Sequence, residues 1–158
     1  MRTAVAVLML SIVSVHGGTR ADAAVEYDSA YGGESAFLTV VPGVTDTFTV
    51  FFTNTGSVAW VRGTDTQVNL AICREDKTTC NVISPNAAWN DGTWLSQIAY
   101  ATTTQASVSP GQLATFEYHI RPPLGLAHSL YRFHGDLVRG ATLRLVHPEG
   151  YYQDATIG

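Results

Sequence analysis

The chain has 158 residues, 46% of them hydrophobic, 10% aromatic and only 14% charged, where an average globular protein carries about 25% charged residues. That length fits one folded domain, and so little charge excludes a disordered segment. Nine basic against thirteen acidic side chains give a formal net charge of −4 and exclude an electrostatic nucleic-acid binder.

The first segment reads as an export signal. Arg2 precedes an almost continuously apolar run from Ala4 to Val15, His16 to Arg20 interrupts it, and Ala21-Asp22-Ala23 satisfies the small-x-small cleavage rule. A run of about 12 apolar residues is shorter than the roughly 20 needed to span a bilayer. Residues 1–23 are therefore predicted to be a signal peptide. The mature chain is predicted to be secreted or displayed at the cell surface, with no membrane insertion after cleavage. Removing Arg2, Arg20 and Asp22 leaves seven basic and twelve acidic side chains, a net charge of −5.

Residues 24–33, rich in Gly and Tyr, read as a flexible lead-in, and 34–158 as a single domain. From there short period-2 segments alternate with turn residues, and no helical periodicity occurs. Phe37 to Val41 ends at Pro42-Gly43. In Thr47 to Thr53, Phe48, Val50 and Phe52 share one face and threonines the other; Asn54-Thr55-Gly56 closes the strand. Gln67 to Ile72 presents Val68, Leu70 and Ile72 to one side and runs into Cys73. In an exported chain Cys73 and Cys80 read as a disulfide closing a polar loop, because a CxxC spacing and further metal ligands are absent.

Asn81 to Thr93 reads as a long loop, and strand character resumes from Ile98 to Val108. After Ser109-Pro110-Gly111-Gln112, Phe116, Tyr118 and Ile120 oppose Thr115, Glu117, His119 and Arg121. Beyond Pro122-Pro123, Tyr131, Phe133 and Leu137 oppose Arg132, His134 and Asp136. Thr142 to Val146 and Tyr151 to Ile157 complete the series, split by Pro148-Glu149-Gly150. Seven to eight strands at this spacing, each with one polar face, predict an all-β antiparallel sandwich.

At Asn54-Thr55-Gly56-Ser57-Val58-Ala59-Trp60 the chain resembles the immunoglobulin-like "four-tryptophan" domain, the central domain of selective-autophagy receptors. Val108-Ser109-Pro110-Gly111-Gln112, with Phe116 and Arg121-Pro122, is similar to a second block of that family. Ser129-Leu130-Tyr131-Arg132-Phe133 and Asp136-Leu137-Val138 are similar to a third. The resemblance runs from about Phe37 to Ile157 and extends to small exported bacterial proteins. Phe133 stands where the family often has tryptophan, and Ala127-His128 replaces its usual glycine approach. The resemblance implies an immunoglobulin-like β-sandwich with a binding or spacer role; fold alone does not decide function.

Pairing 113–121 with 129–138 as a hairpin, in the register set by Tyr118 and Phe133, would bring Glu117, His119, His134 and Asp136 onto one outer face. Such a set has ligand types for zinc or copper. The simpler account is a solvated ladder of cross-strand pairs, and no metal or cofactor is assigned. Nucleophile elbows and glycine-rich phosphate loops are absent, so no enzyme is expected. Trp60, just after an alternating strand, is expected to anchor the core. Trp89 and Trp94, flanking Asn90-Asp91-Gly92-Thr93, together with Tyr100, form either an exposed platform for a sugar or protein partner or a plug at one end of the sandwich. The expected function is an exported, non-catalytic module binding protein or serving as cell-surface structure. The alternatives are a carbohydrate-binding module using those loop aromatics and a metal-dependent enzyme on the outer histidine face.

Overall fold

The computed structural model describes residues 25–158, so the signal-peptide assignment for 1–23 lies outside the described residues. Ten strands run in chain order: β1 (Ser29–Glu34), β2 (Leu38–Val40), β3 (Asp46–Asn54), β4 (Trp60–Val61), β5 (Val68–Ile72), β6 (Ala99–Thr102), β7 (Ser107–Val108), β8 (Leu113–Ile120), β9 (Leu130–Arg139) and β10 (Tyr151–Ile157). A three-stranded sheet, β1-β3-β8, faces a five-stranded sheet, β2-β10-β9-β5-β6, and β4-β7 forms a separate ribbon. This is the all-β sandwich that the strand spacing predicts. Every pairing is antiparallel except that of β2 with β10.

Period-2 sequence becomes a core because both inner faces are aromatic. Phe48, Val50 and Phe52 of β3 and Phe116, Tyr118 and Ile120 of β8 are buried opposite Leu70, Ile72, Phe133 and Leu137 of the other sheet. Phe48 packs 5.7 Å from Phe133, and Phe52 lies 6.3 Å from Tyr151, ring centre to ring centre. Gln153 is the polar exception on the inner face. Its Oε1 accepts the Tyr118 hydroxyl at 3.2 Å, and its Nε2 donates to Ser35 Oγ at 3.1 Å and the Thr49 carbonyl at 3.3 Å. Each polar atom of this buried amide therefore has a partner.

The Asn54-Thr55-Gly56…Trp60 signature has a structural explanation. Fully buried Asn54 donates from Nδ2 to the carbonyls of Val58 at 2.9 Å and Val108 at 3.0 Å, and its Oδ1 accepts Gly56 N–H at 3.1 Å. It ties the end of β3 to the β4-β7 ribbon. A Cβ on Gly56 would stand 2.8 Å from the Asp28 nitrogen, so only glycine lets the N-terminal segment cross there. Trp60 is 1% exposed within the core.

Three expectations need correction. Of the lead-in expected over 24–33, the part from Ser29 onward is not slack, because β1 begins there and pairs along β3. Its glycines serve a bulge between Tyr31 and Gly33, where Gly33 has φ 118°, while Tyr31 sits edge-on against Phe52 at 5.7 Å. β8 and β9 do not form a hairpin: β8 pairs with β3, whereas β9 lies between β5 and β10. Tyr118 and Phe133 do meet, at 6.5 Å, but across the core, because Pro122-Pro123 and the following residues carry the chain from one sheet to the other. Thr142 to Val146 is a turn, with Leu143 at φ 58°, touching β9 through a single Val138–Leu145 bridge.

Candidate functional site

Trp89, Trp94 and Tyr100 do not form a surface platform. They are 2%, 7% and 1% exposed, so the loop plugs the sandwich and the platform expectation is corrected. The cause is β8, which has no full strand on its side away from β3. Trp94 Nε1 donates to the His119 carbonyl on that open edge at 2.6 Å, and Arg121 N–H donates to the Trp89 carbonyl at 2.8 Å. Tyr100 stacks on Tyr118 at 4.3 Å, and Trp89 packs 5.3 Å from Phe133. Asn90 shapes the turn, its Oδ1 accepting N–H groups of Gly92 and Trp94. The loop thus satisfies edge groups that a further strand would otherwise pair.

The proposed metal set is also separated. Glu117 and His119 belong to the three-stranded sheet, His134 and Asp136 to the five-stranded one. Among the described residues no three His, Cys, Asp or Glu side chains are grouped as metal ligands. Asp136 is not on an open face but fully buried. Its Oδ1 accepts Leu137 N–H at 2.8 Å and its Oδ2 accepts Glu149 N–H at 3.1 Å. Burial outweighs those hydrogen bonds and pushes its carboxyl up to about 7. His147 pairs with Asp28 at 2.7 Å, and His119 with Asp91 at 3.5 Å, at separate places on the surface. Cys73 and Cys80 are joined by a disulfide.

A built surface does exist, on the outer face of the five-stranded sheet. The β9–β10 register places Arg132 opposite Asp154 and His134 opposite Tyr152. Arg132 grips Asp154 with two hydrogen bonds, Nε to Oδ1 at 2.7 Å and Nη2 to Oδ2 at 2.8 Å, and its guanidinium lies 4.0 Å from the Tyr152 ring centre. Phe37 packs on that ring at 5.7 Å. Beside this array opens a groove of about 660 Å³, walled by the disulfide at Cys73, Val82, Pro85, Arg132 and His134, with Ile83 64% exposed at its side. Burial, and then Arg132, lower the proton affinity of His134, which is therefore neutral at pH 7.

The arrangement offers hydrogen-bonding groups, a stacked cation and apolar surface. Sequence reasoning placed Arg132 and His134 on an outer face but missed Tyr152 and Asp154. The chain returns over residues 140–150, and the pairing of β10 with β9 is what sets Tyr152 and Asp154 beside Arg132 and His134.

No family model matches the chain, and no curated protein matches it. Among solved structures it is similar to one described by the words "AvmM Catalyzes Macrocyclization in Alchivemycin A Biosynthesis", at 14% identity and a TM-score of 0.42, over 84% of this chain and 89% of that one. A likeness of that degree carries no argument about this chain.

Proposed function

We propose that the chain is an exported, non-catalytic immunoglobulin-like module, akin to the four-tryptophan domains, that binds a protein partner through the outer face of β5, β9 and β10. The observation that carries this is Arg132, clamped by Asp154 and stacked on Tyr152 beside a groove with an exposed isoleucine. Arg and Tyr are the residue types that dominate binding energy at protein interfaces. An arginine already held in place loses little side-chain entropy when a partner docks. The carbohydrate reading relied on Trp89, Trp94 and Tyr100, whose burial removes its support.

Photo-crosslinking tests the proposal. A benzophenone side chain placed at Ile83 should trap a discrete protein partner on producing cells, and the same group at exposed Thr47, on the opposite sheet, should not. Ile83→Asp should weaken capture at least tenfold without lowering the melting temperature. Equal trapping from both faces, or none from Ile83, overturns the assignment.

A further inference from the structure

We propose that the cavity between β1 and the start of β10 is a binding site for a primary alkylammonium group. The inference is separate from the protein-binding proposal: the cavity and the groove are lined by different residues, and only Tyr152, on which Arg132 stacks, borders both the cavity and the proposed binding face.

The cavity measures about 190 Å³ and is lined by Tyr31, Glu34, Lys77, Gly150, Tyr151 and Tyr152. At about 30 Å³ for each water-sized group, it holds on the order of six such groups. Backbone shape creates it: the β1 bulge at Gly33 turns one wall outward, and Gly150, at φ 63°, brings the chain into β10 at the other. Bulges of this kind commonly re-aim side chains at sites.

Two polar atoms of these lining residues lack well-aligned partners. Glu34 Oε2 and the Tyr151 hydroxyl are both buried without a well-aligned hydrogen bond, their nearest polar groups being the hydroxyls of Tyr31 and Tyr118. Leaving such atoms unmet is costly, and a ligand donating to both would recover that cost. The complement of a carboxylate oxygen, a phenolic oxygen and the rings of Tyr31 and Tyr151 is a cation with N–H donors, the Tyr152 ring already being stacked by Arg132. Burial raises the proton affinity of Glu34, a hydrogen bond with the Tyr31 hydroxyl opposes that rise, and the negative charge of Asp154 adds to it; a cation at the same position would relieve the two unfavourable contributions.

Geometry also selects among cations. A primary ammonium has three donors, enough for Glu34 Oε2 and the Tyr151 hydroxyl together. A quaternary ammonium satisfies the ring faces but leaves both oxygens unmet. Lys77 Nζ, 5.9 Å from the Tyr152 ring centre, stands at the rim as a like charge. It weakens binding of every cation that enters, more so for a dication.

The probe is n-propylammonium chloride, titrated into the folded chain at pH 7.5 while the ring resonances of Tyr31, Tyr151 and Tyr152 are followed by NMR. Saturable shifts confined to these rings are expected, with n-propanol giving none and tetramethylammonium binding more weakly. Glu34→Gln should lose affinity by about tenfold or more, the usual worth of a charge-assisted hydrogen bond, while Lys77→Met should tighten it. Shifts absent up to millimolar excess, equal shifts with n-propanol, or unchanged affinity in Glu34→Gln would each overturn the site. Should Glu34→Gln fail to fold, the Lys77→Met comparison and the propanol control still decide. Nα-acetyl-lysine methylamide separates the sources. Tighter binding than propylammonium assigns the group to a polypeptide lysine and weaker binding to a free amine, and either supports the site.

Discussion

Asp136 makes the stability of this domain depend on pH in an unusual direction. Its carboxyl is pushed up to about 7 from 3.8 by burial, which outweighs the N–H groups of Leu137, Glu149 and Gly150, and the charge of Glu149 adds to the rise. Between pH 4 and 7 the native carboxyl therefore holds a proton that the unfolded chain has released. Stability falls as pH rises through that window, at up to about 1.4 kcal/mol per pH unit for one proton. From pH 5 to pH 8 the loss from this group is about 2–3 kcal/mol, a large part of a typical domain's stability. Glu34 acts in the same sense, because its affinity is also raised. His134, whose affinity is lowered, acts in the opposite sense as pH falls below 6.5. Asp28, Asp76 and Asp91 are lowered and lose stability only below the window. Subtracting the pH profile of Asp136→Asn from that of the wild type removes these other groups. Asparagine lacks one acceptor, so the variant's absolute stability will drop; the diagnostic is the slope. Urea denaturation at pH 5, 6, 7 and 8 should show the wild type losing about 2–3 kcal/mol more than the variant across this range. Parallel profiles would mean that Asp136 is ionised in the native state throughout and that the burial argument is wrong.

Trp60→Ala should cost about 3–5 kcal/mol by urea denaturation. Trp60→Phe should cost less, because it also removes an indole N–H that has no partner; a loss below about 1 kcal/mol in the alanine variant would place the residue outside the core. Replacing Cys73 and Cys80 together by serine should lower stability by about 2.5 kcal/mol if closure of this short loop restricts the unfolded chain, with no change if the bridge does not form in the purified protein. Trp94→Phe keeps most of the packing but strips the His119 carbonyl of its donor, so a loss of about 1–3 kcal/mol is expected and an unchanged midpoint would show that the open edge of β8 is satisfied by other means.

What the sequence discloses here depends on how local each cause is. Alternation in β3 and β8 shows which residues face inward, because burial on one face of a strand imposes period 2 wherever the strand lies. The same alternation does not say which sheet a strand joins. Tyr118 and Phe133 are matched in size and phase whether they neighbour each other in a hairpin or meet across the core, and only the path taken after Pro122-Pro123 decides. Trp89 and Trp94 sit among Asn, Asp and Gly, and those neighbours mark a loop correctly. That the loop turns inward depends on an unpaired edge on a strand more than twenty residues later, which no local pattern records. The Arg132–Asp154–Tyr152 array arises from the register of β9 against β10, so two of its members become visible only once that pairing is known. The Asn54-Thr55-Gly56 signature was legible as a motif, but its reason, a side chain reaching the carbonyl of Val108, lies 54 positions away.

The parallel contact between β2 and β10 joins Val40 to Ile157, partners 117 positions apart. The β9–β10 pair, by contrast, is closed by the eleven residues 140–150, a far shorter loop, and can form earlier. Closing so long a loop costs chain entropy before any contact rewards it, which places folding of such a topology in the milliseconds-to-seconds range. Until β2 arrives, the outer edge of β10 offers its N–H and C=O groups to any passing strand, including a second molecule. Refolding should therefore lose yield as protein concentration rises. Shortening the wait, by engineering a covalent link between β2 and β10, should protect yield more than it raises the melting temperature.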